Sequence, residues 1–177
     1  MRLFVALEIS DKAKDYVYDL QKKINNPKIA KVKWTFKRSL HVTLKFLGEV
    51  PEEKLEDIKQ ALKEIKFEKF TLKTTELGFF PDEIKPRVIW LGLDPEQKII
   101  ELQQKIDEAL LTVFPTNQEF RAHLTLGKVK FLKNRVDFLK RLKDIKVEKI
   151  SFNVIGFKLM QSKLKKEGSV YSTIEEY

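Results

Sequence analysis

Ser39-Leu-His-Val-Thr-Leu-Lys-Phe-Leu-Gly48 is a strand-like run with an imidazole and a hydroxyl on its polar side. Side chains on a strand alternate between faces, so His41 and Thr43 share one face with Lys45 beyond them, while Val42, Leu44 and Phe46 share the other. The apolar face needs a core; the polar face calls for a different explanation. Arg121-Ala-His-Leu-Thr-Leu-Gly127 repeats the pattern, with Arg121, His123 and Thr125 alternating against Ala122, Leu124 and Leu126. The chain has two histidines and both lie in His-x-Thr-Leu. One such histidine could be an ordinary strand residue, but two copies that use every imidazole in the protein point to a shared site.

The rest of the chain reads as the scaffold that brings the two motifs together. Ser10 is placed to cap a helix from Asp11 to about Ile24, with Ala13, Val17 and Leu20 on its buried side, and Asn25-Asn26-Pro27 ends it. Pro51, Glu52 and Glu53 open a second helix with the stripe Leu55, Ile58, Leu62 and Ile65. Asp94-Pro95 opens a third, with Ile99, Leu102, Ile106 and Leu110, which the break Phe114-Pro115-Thr116-Asn117 closes. A fourth runs from about Asn134 to Lys143. Strands are expected at Arg2 to Glu8, Val32 to Phe36, Phe70 to Leu77, Pro86 to Leu93, Val147 to Asn153, Ile155 to Lys163 and Val170 to Ile174. Gly78-Phe79-Phe80-Pro81-Asp82 and Lys166-Glu167-Gly168 read as turns. The two histidines are nearly half the chain apart and flanked by similar elements. The expected architecture is therefore α+β and bilobal: residues 1–177 as one domain, with two pseudo-symmetric lobes, antiparallel-rich sheets covered by helices, and one motif strand from each facing a central cleft.

Composition narrows the chemistry. A chain of 177 residues with 42% hydrophobic and 34% charged residues can bury a real core. No apolar run is long enough for a membrane span and the opening MRLFVALEIS is too short and too soon charged for a signal peptide, so the cytoplasm is the expected compartment. The absence of cysteine excludes disulfides, thiol catalysis and cysteine-ligated metals. Neither histidine sits in an H-E-x-x-H or D-x-D pattern, so no metal or other cofactor is expected. The net charge of +9 favours an anionic partner such as RNA.

Two facing imidazoles suit a reaction in which one proton is accepted and another donated. Thr43 and Thr125 add neutral donors and Arg121 a cation, a cradle for a phosphate whose charge moves during reaction. A strained phosphodiester such as a nucleoside 2',3'-cyclic phosphate fits that set. Lys45 reads as a solvated or cleft-rim charge and Ser39 as a strand-entry residue. Trp34, Trp90, Phe79 and Phe80 read as core or loop packing, with stacking on a base as the lesser alternative. A non-catalytic RNA-binding protein and a phosphodiesterase of a small cyclic phosphate, such as an ADP-ribose derivative, are the competing readings.

His41-Val-Thr-Leu-Lys-Phe-Leu-Gly48 and His123-Leu-Thr-Leu-Gly-Lys-Val129 resemble the paired signatures of the two-histidine phosphoesterases. Within that superfamily the chain is most similar to the bacterial and archaeal RNA 2',3'-cyclic phosphodiesterases, also called 2'-5' RNA ligases. The likeness extends to Met1-Arg-Leu-Phe-Val-Ala-Leu7, Gly78-Phe-Phe-Pro81, Pro86-Arg-Val-Ile-Trp-Leu-Gly92 and Phe120-Arg-Ala-His123; Ala122 stands where the family often has proline. The resemblance implies metal-independent opening of RNA 2',3'-cyclic phosphate ends to 2'-phosphomonoesters, with reversible 2'-5' ligation as the reverse chemistry. It also implies His41 as proton donor, His123 as acceptor, and Thr43 and Thr125 on the phosphate oxygens; the residues alone present two equivalent imidazoles. A monomer is expected, because one chain supplies both motifs.

Overall fold

The computed structural model describes residues 1–114, 119–165 and 168–177. The expected break at Phe114-Pro115-Thr116-Asn117 and the turn Lys166-Glu167-Gly168 fall largely outside those residues. The strands are β1 (Arg2–Glu8), β2 (Ala30–Trp34), β3 (His41–Glu49), β4 (Phe70–Phe80), β5 (Val88–Asp94), β6 (Leu124–Leu132), β7 (Ser151–Val154), β8 (Lys158–Lys165) and β9 (Gly168–Glu176). The α-helices are α1 (Asp11–Ile24), α2 (Leu55–Lys63), α3 (Glu96–Leu110) and α4 (Arg135–Asp144). Among the described residues no helix is long and apolar enough to cross a membrane.

Helix positions follow local chemistry. The Ser10 side chain accepts from Ala13 N at 3.2 Å, which starts α1, and Asn134 does the same for Asp137 N at 3.1 Å at the start of α4. The Pro51 segment first makes a single 3-10 turn, Glu52–Lys54, before α2 begins. Gly78, Phe79 and Phe80 are strand rather than turn, because they pair with Trp90, Ile89 and Val88 across β4 and β5.

The strands run in the order β7-β4-β5-β6-β3-β1-β8-β9, with β2 added to β6, and every pairing is antiparallel. The two expected sheets are thus continuous, but their junction is slight. Among the described residues the only register pair between β3 and β6 is Val42 with Leu124. On one side of it lie β3, β1, β8 and β9 with α3 packed on β3 and α2 on α3; on the other lie β6, β2, β5, β4 and β7 with α1 against β7. Strands joined at one point splay on either side of it, which leaves a cleft between the halves. The halves interleave in sequence: α1 follows β1 but reaches across, where Gln21 Nε2 donates to Thr35 O at 2.9 Å and Leu126 O at 2.8 Å.

Strand β3 departs from strict alternation. Its pairing with β1 skips Leu44, since Val5 faces Lys45 and Ala6 faces Thr43. An extra residue in one strand flips the phase of everything beyond it. Lys45 is therefore buried at 6% exposure, and Phe46, expected in the core, is 69% exposed. This corrects both residues' expected places.

Gly78 ties the fold to the site. Its pro-side-chain position is filled by the Trp90 indole, so no side chain fits there without moving that ring. Trp90 in turn packs on Phe80 at 5.4 Å, and Phe80 on His123 at 4.8 Å. Gly78→Ala is expected to cost about 1–3 kcal/mol by overpacking. A thermal melt showing an unchanged Tm would contradict this.

Candidate active site

The Val42–Leu124 pair that joins β3 to β6 sets the site. Val42 and Leu124 are the middle residues of the two His-x-Thr triplets, so their antiparallel pairing brings His41 toward Thr125 and Thr43 toward His123. The two motifs are thereby related by a local twofold pseudo-axis. Thr43, His123, Thr125 and Arg121 line one cavity of about 370 Å3 at the junction, and His41 adjoins a second of about 170 Å3.

Each imidazole is held in the same way. His41 Nδ1 lies 2.7 Å from Ser39 O, and His123 Nδ1 lies 2.7 Å from Arg121 O. A carbonyl only accepts, so Nδ1 carries the hydrogen and Nε2 has the free lone pair when the ring is neutral. In His41 that Nε2 lies 3.0 Å from Thr43 Oγ1, which therefore donates to it. The rings are also packed by aromatics: Tyr171 stands edge-on at 5.2 Å and Phe4 tilted at 5.0 Å from His41, and Phe80 edge-on at 4.8 Å from His123. Ser39 is buried at the end of a 3-10 turn, and its carbonyl is what positions His41.

Both imidazoles are pushed below their ordinary pKa. For His41 the largest cause is burial, opposed by the Ser39 carbonyl and reinforced by His123, whose charge it feels. For His123 burial again dominates, opposed by the Arg121 carbonyl. The free protein at neutral pH thus holds two neutral rings. A reaction needing one protonated and one neutral ring then has both limbs of its kcat/KM profile acid to about 6.5, the usual imidazole value. A phosphate anion bound between the rings favours their charged form, so the kcat profile is expected to lie at higher pH than the kcat/KM profile. Coincident profiles, or a kcat/KM optimum above neutrality, would contradict this.

Arg121 is at the cavity rim, where its guanidinium lies 3.5 Å from Glu119. Phe80, read as packing, lines the cavity; Trp34 and Phe79 pack against the core as expected. Lys45 is not at the rim. Its Nζ bonds Asp107 Oδ1 at 2.6 Å on the cavity wall, and Gln103 Nε2 holds Asp107 Oδ2 at 2.7 Å. Neither the carboxylate nor the amide is visible in the sequence as a site residue, although Gln103 and Asp107 form a polar i,i+4 pair beside the apolar stripe of α3. Tyr171, Phe4 and Phe46 escape sequence reasoning as well, because only the tertiary fold brings them to the histidines. Among the described residues no three His, Asp or Glu side chains converge as a metal-ligand group.

A pair of alike-oriented imidazoles with paired hydroxyls is what the two His-x-Thr strands assemble at the junction, and a family comparison matches both strands. The family described as LigT like Phosphoesterase matches residues 7–90 and again 91–171, one match for each histidine motif. The chain belongs to that family. It is 35% identical to the RNA 2',3'-cyclic phosphodiesterase of Archaeoglobus fulgidus over 181 residues, covering 100% of this chain and 99% of the relative. It is also 35% identical to the RNA 2',3'-cyclic phosphodiesterase of Methanocaldococcus jannaschii over 184 residues, covering all of both chains. Among solved structures, a Thermus thermophilus protein superposes with a TM-score of 0.82 at 26% identity, covering 100% of this chain and 97% of that one. Apo LigT of E. coli, at 23% identity and a TM-score of 0.79 over 99% of this chain and 95% of its own, shares the fold.

Proposed function

We propose that residues 1–177 act as one bilobal catalytic domain, an RNA 2',3'-cyclic phosphodiesterase that opens the cyclic phosphate to a 2'-phosphomonoester. The observation that carries this is the matched locking of both Nδ1 atoms onto backbone carbonyls, which leaves the Nε2 lone pair of each ring as the place for proton transfer, one on each side of the Val42–Leu124 bridge. The names of the two archaeal relatives, each matched over the full chain, support the same reaction.

His123 Nε2 takes a proton from water as the water oxygen bonds to phosphorus. The P–O3' bond breaks, and His41 Nε2 gives its proton to the departing 3' oxygen. Thr43 links the two events. While His41 is neutral, the Thr43 hydroxyl donates to Nε2; once His41 is protonated, Nε2–H donates to Thr43 instead. The threonine proton is then free to turn to a phosphate oxygen. Thr125 supplies the matching donor from the other half, and Arg121 swings from Glu119 to the phosphate or the RNA backbone. The same steps reversed, with a 5'-hydroxyl in place of water, join RNA 2'-5'. The protein works as a cytoplasmic monomer on RNA ends, its net charge of +9 drawing the polyanion in.

The test is incubation in EDTA with a short RNA ending in 2',3'-cyclic phosphate, resolving 2'- from 3'-phosphate products. A 2'-phosphate product is expected. A 3'-phosphate product would reverse the proton roles, and bound RNA with no product would leave a binding protein.

A further inference from the structure

The reaction as derived makes no use of the most unusual polar group in the cavity. Lys45 has a side chain only 4% exposed, yet it carries a charge and meets Asp107, 22% exposed, at 2.6 Å. Burying such a pair costs desolvation that apolar residues of similar size would avoid, so its presence on the wall of a substrate cleft asks for a role. The pair shares the cavity with Thr43, Thr125 and His123, which places it beside the phosphate and not in a separate pocket. Lys45 follows Thr43 on β3 with the Leu44 bulge between them, which turns its ammonium to Asp107 of α3 on the cavity wall.

We propose that this cavity is a nucleobase subsite that selects guanine at the RNA end bearing the cyclic phosphate. Asp107 is held on both oxygens, by Lys45 on one and by Gln103 Nε2 on the other. A carboxylate has about four acceptor positions, so each oxygen keeps one for a ligand. Two fixed, parallel acceptors match two adjacent N–H donors on one edge. Guanine alone of the four RNA bases presents such an edge, N1–H beside the exocyclic N2–H. Its O6, on the far side of N1, then meets the remaining N–H donors of Lys45, whose ammonium already sits at one carboxylate oxygen. Adenine and cytosine each offer one amino group beside an unprotonated ring nitrogen, which would face the carboxylate with lone pair against lone pair. Uracil brings one N–H flanked by two carbonyls. Phe46, 69% exposed on the cavity edge because of the Leu44 bulge, supplies a face for the ring.

This inference rests on the cyclic-phosphodiesterase reading, so its test is built to fail separately. The kcat/KM values of the four nucleoside 2',3'-cyclic monophosphates are compared, and calorimetry compares binding of the four nucleoside 2'-monophosphates, which needs no turnover. Guanine is expected to lead the other bases by about 10–100-fold in both, the discrimination of one bidentate pair. In Asp107→Asn, which keeps one acceptor and replaces the other with a donor, the guanine-to-adenine ratio is expected to fall at least about tenfold. The double variant Lys45→Met with Asp107→Leu keeps the wall packed and uncharged, and it is expected to flatten the profile if the single change unfolds the protein. Near-equal values for all four bases, a preference for another base, or a guanine preference that survives both variants would overturn the proposal and make the pair a tie between α3 and β3. Guanine-selective binding without any turnover would instead sink the phosphodiesterase reading and leave the base site standing.

Discussion

Replacing His41 or His123 with alanine is expected to lower kcat on an RNA 2',3'-cyclic phosphate by about 10²–10⁴-fold, with the melting temperature little changed. The magnitude is that of one positioned proton donor or acceptor. The fold should survive because neither ring anchors the core: each sits at the sheet junction with one hydrogen bond to a backbone carbonyl two residues earlier. The double variant should be scarcely worse than either single one, since acid and base act in one transfer and the loss of either removes the pathway. The pH profiles separate the roles. The base must be neutral, so His123 sets the acid limb; the acid must be protonated, so His41 sets the alkaline limb. Residual activity in His41→Ala should therefore lose its alkaline limb, and in His123→Ala its acid limb. Full activity in either variant, or the opposite assignment of limbs, would contradict the proposed mechanism.

The site was legible in the chain to the extent that local rules determine it. Alternation put His41 and Thr43 on one face and His123 and Thr125 on another, and both pairs line the junction. Capping by Ser10 and the apolar stripe of α1 were equally local, and the helix spans Asp11–Ile24 as read. What alternation could not carry was the bulge at Leu44, a property of the pairing with β1 that reverses Lys45 and Phe46. The Lys45–Asp107 pair spans 62 positions, and nothing local to either residue names the other. The expected lobes are present as two halves of a sheet, but their interleaving comes from helices that cross to the opposite half. No periodicity reports that.

Thr43→Val and Thr125→Val are expected to lower kcat by about 10²–10³-fold each, the usual cost of removing one donor to a phosphoryl or acyl oxygen that gains charge. Valine keeps the volume and the strand preference, so the loss reads the hydroxyl and not the packing. Ser at either position should recover most of the rate. The two variants should nevertheless differ in pH dependence. In the free protein Thr43 donates to the Nε2 of neutral His41 at 3.0 Å. Protonated His41 donates to the same hydroxyl, and that charge-assisted bond is the stronger of the two, so removing it lowers the His41 pKa further below its ordinary value. Thr43→Val should thus move the alkaline limb of kcat/KM to lower pH, while Thr125→Val should leave that limb in place. Measuring kcat/KM against pH for both variants decides whether Thr43 couples the proton on His41 to the phosphate. Identical shifts in the two would mean that the threonines act only as separate donors, and the coupled motion of the Thr43 hydroxyl would have to be given up.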